Sequence, residues 1–248
     1  MNELPSLTET LPLAAARVWT FHGLQFLTGA SGFFFERAEK LYLVSSLHVF
    51  IDEAIGHFPD RVEIELHVDP GDLAVSTGFS IPLYRNGAAA WKQGVDRAGP
   101  VDVAMIEIER SALPAHTVYR AFNPGHLPDR FDHVALGASL LVIGFPLGFH
   151  DTLHHMPVAR QAVVATTYGL RFKGEGYFLT DARTHRGTSG APVVMRLADP
   201  TPSHGDLPWM LLGIHSARLD VGTRDIDLDE ALGLNCAWYP DILMTLST

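Results

Sequence analysis

Three polar side chains in this chain of 248 residues could together carry out nucleophilic acyl transfer: Ser189, His48 and Asp102. A serine hydroxyl is a weak nucleophile, so it needs a base that takes its proton and donors that stabilise the oxyanion. A histidine can be the base, and an aspartate can orient the histidine and stabilise the imidazolium. The order His, Asp, Ser along the chain is one of the known arrangements. Together the three residues predict Ser189 as the nucleophile, His48 as the general acid and base, and Asp102 as the orienting carboxylate.

The sequence around each residue agrees with these roles. Ser189 lies in the glycine-containing segment 187–190, where a sharp turn would aim the backbone N–H groups of Gly187 and Ser189 at one point as an oxyanion hole. His48 follows the apolar run 41–45 closely, and Asp102 precedes the mostly apolar run 103–108. Taken singly, each residue also has a structural interpretation: a glycine-rich turn, a packed histidine and a strand-end cap. Only their combination is specific.

Short apolar or alternating runs, separated by turn residues, make up most of the chain. The segment Val62–Val68 alternates strictly between apolar and polar residues, as a half-buried strand does. Further strands are predicted at Gly32–Glu36, Leu41–Ser45, Val103–Ile108, Leu140–Gly144, Val163–Thr167, Gly176–Thr180, Pro192–Arg196, Met210–His215 and Leu234–Tyr239. Helices are predicted at Leu47–Ile55 and Pro240–Leu246, and Ser111–Arg130 is predicted to connect two halves. Many strands in succession favour an all-β barrel or sandwich.

The composition is that of an ordinary globular protein, 47% hydrophobic and 19% charged. The single cysteine cannot form an internal disulfide, and the net charge of −10 disfavours nucleic-acid binding, which depends on cationic contacts with phosphate. Residues 1–16 lack the basic residues of a signal peptide, and no uncharged run is long and continuous enough for a membrane helix. We therefore expect a cytoplasmic protein that binds neither nucleic acid nor membrane.

Four segments resemble the trypsin-like serine peptidases of the chymotrypsin fold, in the bacterial branch that lacks disulfides: Gly29–Phe34, Leu43–Val49, Val101–Ile108 and Thr180–Val194. The spacing from Thr180 to the serine loop is also similar to that of HtrA-type peptidases. The resemblance implies two six-stranded antiparallel barrels, with the active site between them, and a short C-terminal helix. It further implies an N-terminal extension over residues 1–17, a first barrel over 18–112 carrying His48 and Asp102, and a second barrel over 113–248 carrying Ser189.

The function implied by this resemblance is that of a serine endopeptidase, which hydrolyses peptide bonds through an acyl-enzyme without cofactor or metal. By resemblance, the specificity pocket is walled by residues 183–186 and 214–218, and the candidate substrate-binding residues are Arg183, Thr184, Arg186, His215 and Ser216. Thr184 and His215 match positions used by glutamyl endopeptidases, although Ser216 and Ala217 replace the usual aromatic–glycine pair. Hydroxyl, imidazole and guanidinium groups can all bind a carboxylate, so we expect a preference for an acidic residue before the scissile bond.

The residue before Ser189 departs from the pattern of the secreted digestive peptidases. Thr188 stands where the secreted digestive branch has the aspartate that pairs with a newly cut N-terminus, so we expect activity without such a cut. A catalytically silent module that binds a peptide or protein, or an ester hydrolase with the same triad, are the alternatives. A regulatory protein partner is a further expectation, because an unrestrained cytoplasmic peptidase would damage other proteins.

Two clusters of possible metal ligands are expected to be surface loops. His150, His154 and His155 lack a zinc signature and predict a solvated loop, and Asp225–Glu230 predicts an acidic loop.

Overall fold

The computed structural model describes residues 9–216 and 233–248, and β-strands make up most of the regular structure in this part of the chain. The acidic segment Asp225–Glu230 and the first eight residues of the predicted N-terminal extension lie outside the described residues. Among the described residues, none of the helices has the length and apolar character that crossing a membrane requires.

The N-terminal half is built from antiparallel strands. Its strands are β1 (Ala15–His22), β2 (Gln25–Arg37), β3 (Lys40–Ser45), β4 (Arg61–His67), β5 (Ser76–Pro82), β6 (Tyr84–Arg85), β7 (Ala88–Ala89), β8 (Trp91–Asp96) and β9 (Gly99–Ile108). Seven of them form one sheet in the order β5–β4–β1–β2–β3–β9–β8, and β6 and β7 pair as a small ribbon. The predicted alternation in β4 is observed, since Val62, Ile64 and Leu66 are buried while the residues between them are half-buried.

The C-terminal half is a closed barrel of six antiparallel strands. They are β10 (Ser139–Gly144), β11 (Val158–Val164), β12 (Tyr177–Asp181), β13 (Pro192–Arg196), β14 (Trp209–Ser216) and β15 (Leu234–Trp238), and they close in the order β10–β11–β12–β15–β14–β13. Closure pairs every strand on both sides, so the barrel exposes no sheet edge.

The predicted all-β fold of the chymotrypsin type is confirmed, with differences in detail. The second barrel has the expected six strands, whereas the sheet of the first half has seven and its edge strands β5 and β8 are not joined by backbone hydrogen bonds. Strands β1, β5, β6, β7 and β8 are additions to the predicted set. β5 and β8 have mostly exposed or half-buried residues, so they lack the apolar runs that reveal a strand. The domain boundaries at residues 17 and 112 stay a prediction.

Two short helices flank the strands. The helix α1 (Leu47–Phe50) is much shorter than the predicted helix Leu47–Ile55, because Ile51 and Asp52 adopt extended backbone angles before a 3₁₀ turn at Glu53–Ile55. The helix α2 (Ile242–Leu246) lies within the predicted range 240–246.

The C-terminal helix α2 fastens the end of the chain to the N-terminal sheet. Leu243 and Leu246 are buried in an apolar cluster that contains side chains from both halves of the molecule. Arg37 of β2 donates a hydrogen bond to the carbonyl of Met244 over 2.6 Å. The helix therefore packs across the junction of the two halves.

Leu243→Ala is expected to lower the free energy of unfolding by about 2–5 kcal/mol, because it removes a fully buried side chain from this junction. The matched control is Leu24→Ala, since Leu24 is 100% exposed and its loss should change stability by less than about 0.5 kcal/mol. Urea denaturation of the two variants measures the difference. Equal effects would contradict the docking of α2.

Candidate active site

His48 and Asp102 meet because β3 and β9 are antiparallel neighbours. The two strands pair with Ser45 opposite Ala104. His48 lies in α1 just past the end of β3, and Asp102 lies near the start of β9, so both residues are at the same end of the sheet. His48 Nδ1 is 2.7 Å from Asp102 Oδ2, and the backbone N–H of His48 donates to Asp102 Oδ1 over 3.0 Å. Each carboxylate oxygen thus holds one group of His48.

A third hydrogen bond to Asp102 comes from the C-terminal barrel. The hydroxyl of Ser216, at the end of β14, donates to Asp102 Oδ2 over 2.7 Å. Burial acts to raise the pKa of Asp102, but the hydrogen bonds from His48 and Ser216 more than offset it, so this pKa lies below its usual value. Asp102 is therefore ionised at neutral pH. As an acceptor it requires the proton of His48 on Nδ1, which leaves Nε2 free to accept a proton.

The loop that carries Ser189 is fastened to β2 by Ser31, which is fully buried. The N–H of Ser31 donates to the carbonyl of Ser189 over 3.0 Å, and its hydroxyl donates to the carbonyl of Gly187 over 2.7 Å. The same hydroxyl accepts a hydrogen bond from the N–H of Phe145 over 2.9 Å. A residue of the N-terminal sheet therefore holds a loop of the C-terminal barrel.

The glycine after Ser189 is required by this close approach. Gly190 has a φ of +83°, a conformation that residues with a side chain rarely adopt. A Cβ atom there would overlap the hydroxyl of Ser45 and the carbonyl oxygen of Ser31. Any other residue at this position would push the serine loop away from β2 and β3.

The hydrogen bonds of the serine loop leave the backbone N–H groups of Gly187 and Ser189 free of backbone acceptors among the described residues. The carbonyl of Arg186 accepts from the N–H of Leu147 over 2.6 Å, and the carbonyl of Thr188 accepts from the N–H of Ala191 over 3.0 Å. In a trans peptide the N–H points opposite to the carbonyl, so both N–H groups point away from these partners. Neither N–H donates to a backbone carbonyl among the described residues. The two N–H groups can therefore serve as oxyanion donors.

Ser189 and His48 line the same cleft, which has a volume of about 730 Å³. No hydrogen bond between the Ser189 hydroxyl and the His48 ring is formed within the described residues. In ligand-free sites such catalytic hydrogen bonds are often long, and they tighten only in the substrate complex. The structure thus brings the three predicted triad residues to one site.

The candidate substrate-binding residues divide into two groups. Arg183, Thr184 and Arg186 line the cleft. The hydroxyl of Thr184 already donates to Asn235 Oδ1 over 2.6 Å, and Asn235 in turn donates to the carbonyl of Ala182 over 2.7 Å. His215 and Ser216 are fully buried and do not line the cleft, and the Ser216 side chain binds Asp102 instead.

His215 is an unusual buried histidine. Neither ring nitrogen has a hydrogen-bond partner within the described part of the chain. Burial, with a further contribution from the charge of His48, lowers the pKa of His215 to about 4. The ring is therefore neutral at pH 7 and can act as a hydrogen-bond donor, not as a fixed positive charge.

Sequence reasoning assigned no role to two residues of the site, Ser31 and Asn235. Ser31 lies in the segment Gly29–Phe34 that resembles the peptidase family, and its position between small residues before an apolar strand is a usable signal. Asn235 has no comparable signal, because its partner Thr184 is 51 positions away.

A serine, a histidine and a carboxylate placed between two antiparallel β halves define the serine peptidases of the chymotrypsin fold. Residues 30–197 match the model of the trypsin-like peptidase domain, and the chain belongs to that family. The family assignment agrees with the resemblance found in the sequence.

Two solved structures resemble the chain in fold. The HtrA-type protease AlgW, determined with a tripeptide, is 19% identical with a TM-score of 0.54, and the match covers 95% of this chain and 59% of AlgW. A serine endoprotease from Yersinia pestis is 17% identical with a TM-score of 0.51, and the match covers 98% of this chain and 66% of that one. The chain thus spans less than two thirds of each. No curated protein matches the sequence.

The buried histidine predicts a pH dependence of stability. The pKa of His215 is about 4 in the folded chain and about 6.5 when unfolded, so only the unfolded chain takes up this proton between these values. The contribution of His215 is therefore complete above pH 6.5 and falls by about 3 kcal/mol as the pH drops towards 4. Urea denaturation between pH 7 and 4 should show a shallower loss in His215→Gln, which cannot titrate.

The control for this measurement is His133→Gln, because the His133 side chain is 58% exposed. This control should keep the pH dependence of the unaltered protein. A pH dependence in His215→Gln that matches the control would contradict the buried, neutral state of His215.

Proposed function

We propose that the chain is a serine endopeptidase that works through His48, Asp102 and Ser189 and forms an acyl-enzyme. In this proposal residues 18–112 contribute the acid–base pair, and residues 113–248 contribute the nucleophile and the oxyanion donors. The family membership supports a peptidase, and the arrangement of the cleft supports the choice of residues.

The reaction has two stages with the same participants. Ser189 Oγ attacks the carbonyl carbon of the scissile bond while His48 Nε2 takes the hydroxyl proton, and the N–H groups of Gly187 and Ser189 stabilise the oxyanion. His48 then gives this proton to the leaving amine, the C–N bond breaks, and an ester to Ser189 remains. A water molecule that loses its proton to His48 attacks the ester, and Ser189 leaves with that proton.

The hydrogen bonding of Asp102 is the observation that supports this proposal best. A buried carboxylate costs free energy unless donors satisfy it. An aspartate that only caps a strand end needs only backbone donors. Asp102 Oδ2 instead accepts hydrogen bonds from the His48 ring and from the Ser216 hydroxyl. The ring that it orients lies in the cleft together with Ser189. A carboxylate with this role is what general base catalysis by His48 requires.

We also propose that the residue before the scissile bond is acidic. Arg183 and Arg186 line the cleft and form no ion pair with a carboxylate among the described residues. The cleft therefore offers two guanidinium groups to an anionic side chain. Thr184 would accept rather than donate a hydrogen bond unless it releases Asn235. His215 is fully buried and does not line the cleft, so it makes no direct contact with the acidic residue in this proposal.

Ser189→Ala is expected to abolish labelling by a fluorophosphonate probe and to lower peptide turnover about 10⁴-fold or more, because the nucleophile is lost. Gel fluorescence of the labelled protein and cleavage of unfolded protein, followed by mass spectrometry, measure the two effects. Ser80→Ala removes an exposed hydroxyl and should retain both. Turnover in Ser189→Ala equal to that of the control would refute the mechanism, and an unlabelled, inactive parent protein would favour a binding module.

Arg183→Gln is expected to reduce the preference for glutamate over glutamine before the scissile bond by about tenfold, the value of one lost charge-assisted hydrogen bond. Mass spectrometry of a cleaved peptide library gives this preference. Arg97→Gln, at an exposed position away from the cleft, changes the net charge equally and should leave it unaltered. A preference for basic or large apolar residues in the parent protein would rule out acidic specificity.

A further inference from the structure

A second, smaller cavity shares Gly187 with the main cleft. It has a volume of about 240 Å³, below the range of pockets that hold drug-sized ligands and suited to a single side chain. We call it the Arg17 pocket, lined by Arg17, Trp19, Phe26, Leu147, Arg186 and Gly187. It shares Arg186, Gly187 and residues 28–30 with the main cleft, so the two cavities are neighbours across the proposed oxyanion donor.

Arg17 is held in this pocket by uncharged groups. Its guanidinium carbon lies 4.4 Å from the centroid of the Trp19 ring, and Nη1 donates to His150 Nε2 over 2.9 Å. His150 Nδ1 lies 2.7 Å from the carbonyl of Gly148, which requires the proton on Nδ1 and leaves Nε2 as an acceptor. His150 is therefore a neutral acceptor that fixes the guanidinium and does not neutralise it.

No carboxylate forms an ion pair with Arg17 among the described residues. Glu65 is the acidic group that interacts electrostatically with Arg17, and one oxygen of Glu65 accepts a hydrogen bond from the Ser76 hydroxyl over 2.6 Å. Other arginines of the chain are paired directly, including Arg120 with Asp206 and Arg171 with Asp96. The guanidinium of Arg17 is thus positioned and charged, with donors left for an anion.

The position of Gly187 indicates which part of a substrate enters the pocket. A peptide whose scissile carbonyl lies at the N–H of Gly187 must extend in both directions from that point. The proposed function places the residue before the scissile bond beside Arg183 in the main cleft. The Arg17 pocket also reaches Gly187 but contains neither Arg183 nor Thr184, so in this arrangement it takes the residues that follow the scissile bond.

We propose that the Arg17 pocket binds a carboxylate on the leaving side of the scissile bond, and that Arg17 determines this specificity. The inference rests on the proposed function. Trp19 and Phe26 supply apolar walls for the methylene groups of a glutamate, and Arg17 supplies the charge. The carboxylate can come from an acidic side chain or from the free C-terminus of a short peptide, and amidated peptides distinguish these sources.

The first test uses the unaltered protein and pairs of quenched fluorescent peptides with glutamate or glutamine at the two positions after the scissile bond. When both peptides have an amidated C-terminus, we expect kcat/KM to be about tenfold higher for the glutamate peptide than for the matching glutamine peptide. If kcat/KM is instead higher for free than for amidated ends and equal for glutamate and glutamine, the pocket binds the terminal carboxylate. Equal kcat/KM for glutamate and glutamine, and for free and amidated ends, would overturn the proposal.

Arg17→Gln should remove this difference between the peptides. The control is Arg85→Gln, which removes an exposed arginine of β6 and should keep both the activity and the preference. A preference that survives in Arg17→Gln would assign the recognition to another residue and overturn the role of Arg17.

Binding to Ser189→Ala separates this inference from the proposed function. Fluorescence anisotropy of the uncleaved peptides should give about tenfold tighter binding of the glutamate peptide, lost in the Arg17→Gln, Ser189→Ala double variant. If the parent protein is labelled by the fluorophosphonate probe but Ser189→Ala shows no such difference, the carboxylate pocket alone is refuted. If the parent protein neither cleaves nor is labelled, the proposed function fails, and the anisotropy data still decide whether the pocket binds a carboxylate.

Discussion

The carboxylate of Asp102 lies between the two halves of the molecule, and it can be ionised there only because hydrogen bonds satisfy it. His48 supplies two of them from the N-terminal half, and Ser216 supplies one from the C-terminal barrel. The same bonds that keep this charge stable orient the His48 ring and fix the end of β14 against β9. The hydrogen bonds to Asp102 therefore link the docking of the two halves to the orientation of the His48 ring, because neither half alone offers Asp102 all of its donors.

Ser31 makes a second connection of the same kind. Its backbone and hydroxyl hold the carbonyls of Ser189 and Gly187 from the opposite half. The carbonyls of Arg186 and Thr188, in the same peptide groups as the N–H of Gly187 and of Ser189, also accept hydrogen bonds, so all four peptide groups of the loop are fixed. Such preorganised donors stabilise an oxyanion without reorganising during the reaction. The absence of a side chain at Gly190 is the steric condition for this contact.

The distribution of charge at the site differs from that of the whole chain. The protein carries a net charge of −10, yet Arg17, Arg183 and Arg186 line the two cavities at Gly187 and form no ion pair among the described residues. Arginines gathered at one place on an acidic protein make the local potential there differ from that expected of the net charge. Recognition of carboxylates on both sides of the scissile bond would restrict the enzyme to few sequences.

Residue type and local sequence pattern determined the fold class, most of the strands and the choice of candidate catalytic residues. The strand predicted at Pro192–Arg196 has the observed bounds. The three residues predicted as a triad could be singled out because residue chemistry and spacing are properties of the sequence itself, and their catalytic roles stay a prediction. Short apolar runs also predicted the all-β class, since alternation depends on neighbouring residues. Tertiary structure alone decided that Ser216 binds Asp102 across 114 positions and that Ser31 binds Gly187 across 156. It also decided that the first half is an open seven-stranded sheet. These contacts depend on strand register and on the docking of the two halves, which no local pattern encodes.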